Sequence, residues 1–147
     1  MPNVPTTNVG LSGSIQSAAG GSNPASLSEY YAGSSFVLSN GVTSAAGVYG
    51  AISASGAISM GSFRNKFFFK ATIAANTAGY NVMTAAVAAG FSPSTQTLVA
   101  IITVNSGVFL YSPAGGASYG FDTGTGYTNG GSIHLINNGT ICGLGGA

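Results

Sequence analysis

Five charged side chains serve a chain of 147 residues: Glu29, Arg64, Lys66, Lys70 and Asp122. Charged residues make up 3% of the sequence, against about a quarter in an ordinary soluble domain. A free monomer so poor in charge has weak colloidal stability. Much of its surface is therefore expected to be covered, by copies of itself or by neighbouring proteins. Mean hydropathy is positive, at +0.39, yet the apolar residues are scattered, and no run of about 20 of them is present to span a membrane. Residues 82–91 and 98–104 are the longest candidates and are too short. Residues 1–7 have neither the basic start nor the apolar stretch of a signal peptide. A net charge of +1 offers no basic stripe to nucleic acid. The single cysteine, Cys142, allows no internal disulfide and no cysteine-based zinc site. Disordered chains combine low hydrophobicity with high net charge, and this one has neither.

A short phrase occurs twice. Ala25-Ser26-Leu27-Ser28-Glu29-Tyr30-Tyr31 and Ile58-Ser59-Met60-Gly61-Ser62-Phe63-Arg64 each place a large apolar residue after a serine and an aromatic four positions beyond it. Ser26 and Ser59 stand 33 residues apart. Repeated small modules joined by Gly/Ser/Ala-rich chain build elongated, assembling proteins, because one module cannot bury a core alone. In the first copy, Ser26 to Glu29 fits a capping box, with the serine oxygen accepting from the backbone three residues on and the glutamate reaching back. One helical turn is expected over residues 27–31.

Residues 1–24 read as an extended arm, in which Val9, Leu11 and Ile15 form a degenerate earlier copy. Between the copies, residues 35–38 read as a short strand before an Asn40-Gly41 turn. The texture changes near residue 65. Residues 67–73 predict a strand buried on both faces, since three phenylalanines must be hidden. Residues 80–89 carry apolar side chains at helical spacing and end at Gly90. Residues 98–104 predict a second buried strand, turned by Asn105-Ser106-Gly107 into 108–111. Residues 132–136 and 140–142 flank a tight Asn137-Asn138-Gly139 turn. The expected fold is mainly β: an extended N-terminal arm with short helical turns (1–65), then a compact small β-sheet or β-solenoid-like head with one helix (66–147).

Few residues suggest chemistry. Asp122-Thr123-Gly124 spells the motif of aspartic proteases, but that reaction needs two carboxylates sharing a proton, and a loop aspartate capping its own turn is the plainer reading. His134, alternating with Ile133 and Leu135, would bind a metal only on the axis of a trimer; a structural histidine is expected. Arg64, Lys66 and Lys70 are too few to track phosphates and read as gatekeepers flanking Phe67-Phe68-Phe69. Asn138-Gly139-Thr140 is a glycosylation sequon by pattern and a turn by composition. No catalytic residue, cofactor site or metal site is expected.

Gly21-Ser22-Asn23-Pro24-Ala25-Ser26-Leu27-Ser28-Glu29-Tyr30-Tyr31-Ala32-Gly33, with the later Ser55-Gly56-Ala57-Ile58-Ser59-Met60, resembles modules of virion structural proteins of tailed bacteriophages. The second half, through Asn105-Ser106-Gly107, Asn137-Asn138-Gly139-Thr140-Ile141 and Gly143-Leu144-Gly145-Gly146, is similar to glycine-rich fibre-tip or adhesin-associated proteins of phages. Such proteins often continue into a glycine-rich extension, and this sequence stops at Ala147. That difference favours a connector over direct receptor contact. The resemblance implies a non-enzymatic virion component of tail fibre, baseplate or tail tip, assembled in the bacterial host cytoplasm. Its partners would be other virion proteins and its own copies, with a trimer favoured, and a host surface receptor. Leu27, Tyr30, Tyr31, Met60, Phe63 and Arg64 are the expected docking residues. Alternatives are a capsid decoration protein, and an adhesin that binds host glycans through Tyr111, Tyr119 and Tyr127, whose aromatic faces suit sugar rings.

Overall fold

A computed structural model describes residues 3–5, 7–23, 26–31, 34, 36–37, 52–53, 55–113 and 119–143. The expected Asn40-Gly41 turn, most of the spacer between the two copies and the Gly145-Gly146 ending lie outside the described residues. Among the described residues there are eight strands: β1 (Lys66–Ile73), β2 (Thr77–Ala78), β3 (Tyr80–Asn81), β4 (Thr97–Val104), β5 (Phe109–Tyr111), β6 (Phe121–Asp122), β7 (Gly131–Asn137) and β8 (Thr140–Cys142). They pair in three sheets, ordered β1-β4-β7, β2-β5-β8 and β3-β6.

The pairing is parallel in β2-β5-β8 and β3-β6, and within the second unit it stacks successive rungs. Thr77 faces Leu110 and Leu110 faces Ile141, while Tyr80 faces Phe121, all between parallel strands. Between β1 and β4, Thr97 donates to the Asn65 carbonyl and Asn105 to the Ile73 carbonyl. Both bonds span the same sequence offset, which only parallel strands give. Strands β1 to β3 form the first rung, β4 to β6 the second, and β7 with β8 the third. This is the path of a β-solenoid, as the short strands and Asn-Gly turns predict. The Asn137-Asn138-Gly139 turn is a corner between two sheets, not a hairpin.

Contacts divide the chain into two compact units that interleave in sequence. The first comprises Met1–Phe69, Phe91–Ala100 and Gly126–His134; the second comprises Lys70–Gly90, Ile101–Thr125 and Leu135–Ala147. Strands β1, β4 and β7 thus contribute one half to each unit.

The first unit has a core of its own. Val4, Ile15, Ala19, Tyr30, Val37, Ile52, Phe63, Phe68 and Val99 are buried together. Residues 11–19, expected as extended arm, are helical instead. A wide turn over Leu11–Ile15, in which the Ile15 amide reaches the Gly10 carbonyl, runs into α1 (Gln16–Ala19). Ile15 and Ala19, four apart, share a face and both are buried, so packing overrides the local preference of a Gly/Ser-rich stretch. Of the strand expected at 35–38, only Phe36 and Val37 are described. They pack at the core without being in a strand.

Both copies of the phrase become single 3-10 turns, Leu27–Tyr30 and Met60–Phe63. The Ser26 hydroxyl accepts from the Ser28 amide at 3.3 Å and the Ser59 hydroxyl from the Gly61 amide at 3.1 Å. The expected capping box placed that acceptor bond one residue further on. A 3-10 turn is tighter than an α-turn, so the second amide is the one in reach, and Glu29 instead donates its amide to the Ser26 carbonyl. The two aromatics meet edge to face, with Tyr30 and Phe63 ring centroids 6.1 Å apart at 85°. Tyr30 also donates its hydroxyl to the Gly20 carbonyl at 2.9 Å.

Asn65 leads into β1 within this unit. It holds φ +58°, a left-handed conformation that asparagine tolerates better than most residues. Its amide donates to the Val4 carbonyl, its carbonyl accepts from Thr97, and its side-chain amide donates to the Thr95 carbonyl. The Val4 amide in turn donates to Lys66, and Asn3 bridges Phe67 antiparallel. Farther along, Phe91 packs between Phe67 (5.6 Å) and Tyr127 (6.4 Å). Lys66 does not flank the phenylalanines as an exposed gatekeeper: it is fully buried, while Arg64 and Lys70 are exposed.

The second unit holds β2, β3, β5, β6 and β8 with one half of each of β1, β4 and β7. Its interior column at β5 is Leu110, fully buried, and Val104 and Ile102 from β4 are equally enclosed. The corners hang on one another. Asn138 donates its amide to Val104 and Thr140 to Val108, while the Phe109 amide donates to the Asn76 side chain at 2.9 Å. A Cβ on Gly139 would stand 2.4 Å from the Val108 carbonyl oxygen and 2.7 Å from that of Asn105, so only glycine lets the third rung close on the second. Between the first two rungs lies α2 (Val82–Ala88), capped by the Asn81 side chain on the Thr84 amide at 2.8 Å and followed by Gly90 at φ +102°.

Two outcomes test this description. Gly139→Ala should lose more than about 2 kcal/mol of stability in urea titrations followed by circular dichroism, while Gly143→Ala, where an added Cβ meets nothing within 4 Å, should change it by less than about 0.5 kcal/mol. Burial lowers the Lys66 pKa from 10.5 to about 8. Between those values the unfolded chain holds a proton that the folded one has released, so stability rises as pH rises through that window. Burial raises the pKa values of Tyr30, helped by Glu29, and of Tyr80, and these reverse the trend above about pH 10. The unfolding free energy from urea titrations should therefore climb from pH 7 to 9.5 by roughly 2 kcal/mol, and the midpoint with it. Lys66→Met should flatten most of that climb and raise the midpoint at pH 7.

Candidate functional site

The residues expected to dock on neighbours are divided by the structure. Tyr30 and Phe63 are fully buried in the first unit, where their rings build its core. Leu27 is half-buried against that core. Tyr31 is half-buried and donates its hydroxyl to the Gly56 carbonyl. Met60 and Arg64 are exposed, at the two ends of the second 3-10 turn. The aromatics four positions after each serine are thus already occupied, and what the turns offer outward is Met60 and Arg64.

Of the aromatics weighed for glycan contact, Tyr127 is half-buried against Phe91 in the first unit. Tyr111 and Tyr119 belong to the second unit and are 44% and 68% exposed. Phe109, which the sequence reading left out, is 47% exposed. It alternates with Tyr111 across the buried Leu110, so both project from the outer face of β5. Apolar alternation over 108–111 alone does not say which face is inside; the burial of Leu110 between exposed Phe109 and Tyr111 does.

Asp122 does the work of a turn residue. One carboxylate oxygen accepts from the Gly124 amide at 2.8 Å and the other from the Asn81 side-chain amide at 2.7 Å. Gly124 holds φ +81°, and a Cβ there would stand 2.4 Å from Met83 Cβ. The carboxylate therefore locks β6 and its following turn to the start of α2. Above this pair, Tyr80 and Phe121 stack with centroids 6.1 Å apart at 16°. The Asp-Thr-Gly motif is thus accounted for by local hydrogen bonding, with both oxygens engaged.

His134 lies half-buried on β7 in the first unit. Among the described residues no cluster of three or more His, Cys, Asp or Glu side chains is placed to hold a metal ion. No helix among them is long and apolar enough to cross a membrane. The chemistry on display is that of a surface: exposed aromatics on an uncharged β face, and one methionine and one arginine beside a rigid turn.

No curated protein and no solved structure matches the chain. Residues 68–147, more than half of the sequence, do match a protein family, described as phage tail fibre adhesin Gp38. The match begins within β1 and takes in every later strand. The chain therefore belongs to the phage tail fibre adhesin Gp38 family and is a virion component of the tail fibre.

Proposed function

We propose that the chain attaches the phage to its host from a tail fibre. The second unit would present the host-facing surface, and the second 3-10 turn would dock the chain on its neighbours. The observation that carries this reading is the adhesin-family match over residues 68–147. Binding suffices for that role, and the carboxylate of Asp122 is committed to Asn81 and Gly124. The family favours the fibre over a capsid decoration role, and adhesion over a mere connector.

Docking is assigned to Met60 and Arg64, with Leu27 and Tyr31 at the rim; Tyr30 and Phe63 act from beneath by fixing the turns. An exposed methionine and an arginine suit an interface, where both residue types are enriched. The neighbour is a fibre protein or a further copy of this chain, and a trimer fits the usual symmetry of fibres.

Particles made without this protein should keep intact tails and lose adsorption to the host; normal adsorption would sink the proposal. Copies per particle should number a few to a few dozen, as befits a tail, where hundreds would indicate a capsid protein. A Met60→Ala, Arg64→Ala double variant should match the parent in thermal melting to within about 0.5 kcal/mol. It should nevertheless be missing from purified particles on immunoblots. Full incorporation of that variant would remove the docking assignment.

A further inference from the structure

We infer that the docking turns bind a second copy of this chain, with Glu29 of one copy paired to Arg64 of the next. This rests on the docking of Met60 and Arg64 against a neighbour and names that neighbour. Five charged side chains are available, and three of them are spoken for. Lys66 is fully buried, and Asp122 binds Asn81 and Gly124. Lys70, although exposed, already interacts within the chain. Glu29, half-buried, and Arg64, exposed, remain. Among the described residues, neither the Glu29 carboxylate nor the Arg64 guanidinium has a hydrogen-bond or ion-pair partner. One acid and one base are thus left over, and they stand on the two copies of the repeated phrase.

Both charges are carried on fixed backbone within the first unit. The Glu29 amide donates to the Ser26 carbonyl at 3.2 Å, and its carbonyl accepts from the Ser34 hydroxyl. The Arg64 amide donates to the Gly61 carbonyl at 3.2 Å, and Asn65, which follows, is bonded to Val4 on one side and Thr97 on the other. The edge-to-face contact of Tyr30 with Phe63 holds the two turns against each other. Little backbone ordering is left to be lost on docking, which favours association.

Charge complementarity selects the partner. A neighbour of these turns has to bring a base to Glu29 and an acid to Arg64, and a second copy brings both. Acid and base stand on different turns, so the contact is heterologous: the first turn of one copy meets the second turn of the next. Heterologous contacts form a ring where the rotation closes, and a ring of three copies is the trimer suited to a fibre. An exposed ion pair adds little affinity; its effect is on the choice of partner and of register. Apolar area comes from Met60, 40% exposed on the turn that Arg64 closes.

The test uses the full chain with Glu29→Arg, with Arg64→Glu, and with both changes together. All three should melt with the parent, since neither side chain bonds within the described fold. If a reversal melts early, Glu29→Gln or Arg64→Gln, which keeps the shape and removes the charge, takes its place. Sedimentation equilibrium at about 0.1 M salt should give the parent the mass of three chains. Each single reversal sets like charges opposite one another and should weaken association at least about tenfold. The double swap restores the attraction and should restore the association. Single reversals that associate like the parent, or a double swap no better than either, would overturn the pairing. A parent with the mass of one chain at every concentration would overturn the second copy as partner. In that event the Met60→Ala, Arg64→Ala variant separates the two levels. Its absence from particles would leave the docking turns standing, with another fibre protein as their neighbour, and its full incorporation would remove the docking as well.

Discussion

Backbone pairing between successive rungs holds the stack together, and every such pairing leaves a further edge to be satisfied. Parallel strands cannot close on themselves within one short chain. At the start, residues 3–5 meet the difficulty: Val4 exchanges hydrogen bonds with Asn65 and Lys66, and Asn3 bridges Phe67 in the opposite direction. An antiparallel partner ends a parallel series because it adds an edge without adding a rung. At the third rung, Ile141 continues the column of Leu110, yet it is 37% exposed where Leu110 is enclosed.

The same constraint explains how a fold forms with five charges. Ion pairs are scarcely needed where side-chain amides take up the backbone groups that the corners leave open. Asn65 reaches Thr95, Asn76 accepts from Phe109, Asn81 caps α2, Asn129 donates to Ser94, and Asn137 accepts from Gly139. Each is a short, uncharged group that bonds a local backbone amide or carbonyl. Lys66 is the exception, a charge-bearing chain fully enclosed in the first unit, and its lowered pKa records the cost of that burial.

The strands were readable because their cause is local. Three phenylalanines at 67–69 and the Leu-Val-Ala-Ile-Ile run at 98–102 announce burial whatever their partners, and Asn-Gly turns mark the corners. The helix at 82–88 was readable from its spacing and from Gly90. Residues 11–19 were not, since Ser-Gly-Ser-Ile-Gln-Ser has weak helix preference and the helical turns owe their stability to Ile15 and Ala19 in a distant core. The repeated phrase was found by pattern, but a pattern does not say which side of a turn faces inward. Tyr30 and Phe63 proved to be core, and Met60, their less conspicuous neighbour, the exposed residue. Phe109 escaped notice for a related reason: alternation does not say which face of β5 is inside, and the burial of Leu110 does.

That burial also separates what holds the fold from what meets a partner. Leu110 points inward and is held by backbone pairing to both neighbours, while Gly139 and Gly120 are fixed by close backbone contact. Phe109 and Tyr111 flank Leu110 on the opposite, exposed face of β5 and do not fill the interior column. Substitution there alters the surface at little cost to the stack, because exposed positions outside special backbone conformations contribute little to stability. An adhesin has to change what it recognises while keeping its fold. Strands pinned by main-chain hydrogen bonds, with Phe109 and Tyr111 turned outward on one short strand, keep those two demands on different atoms.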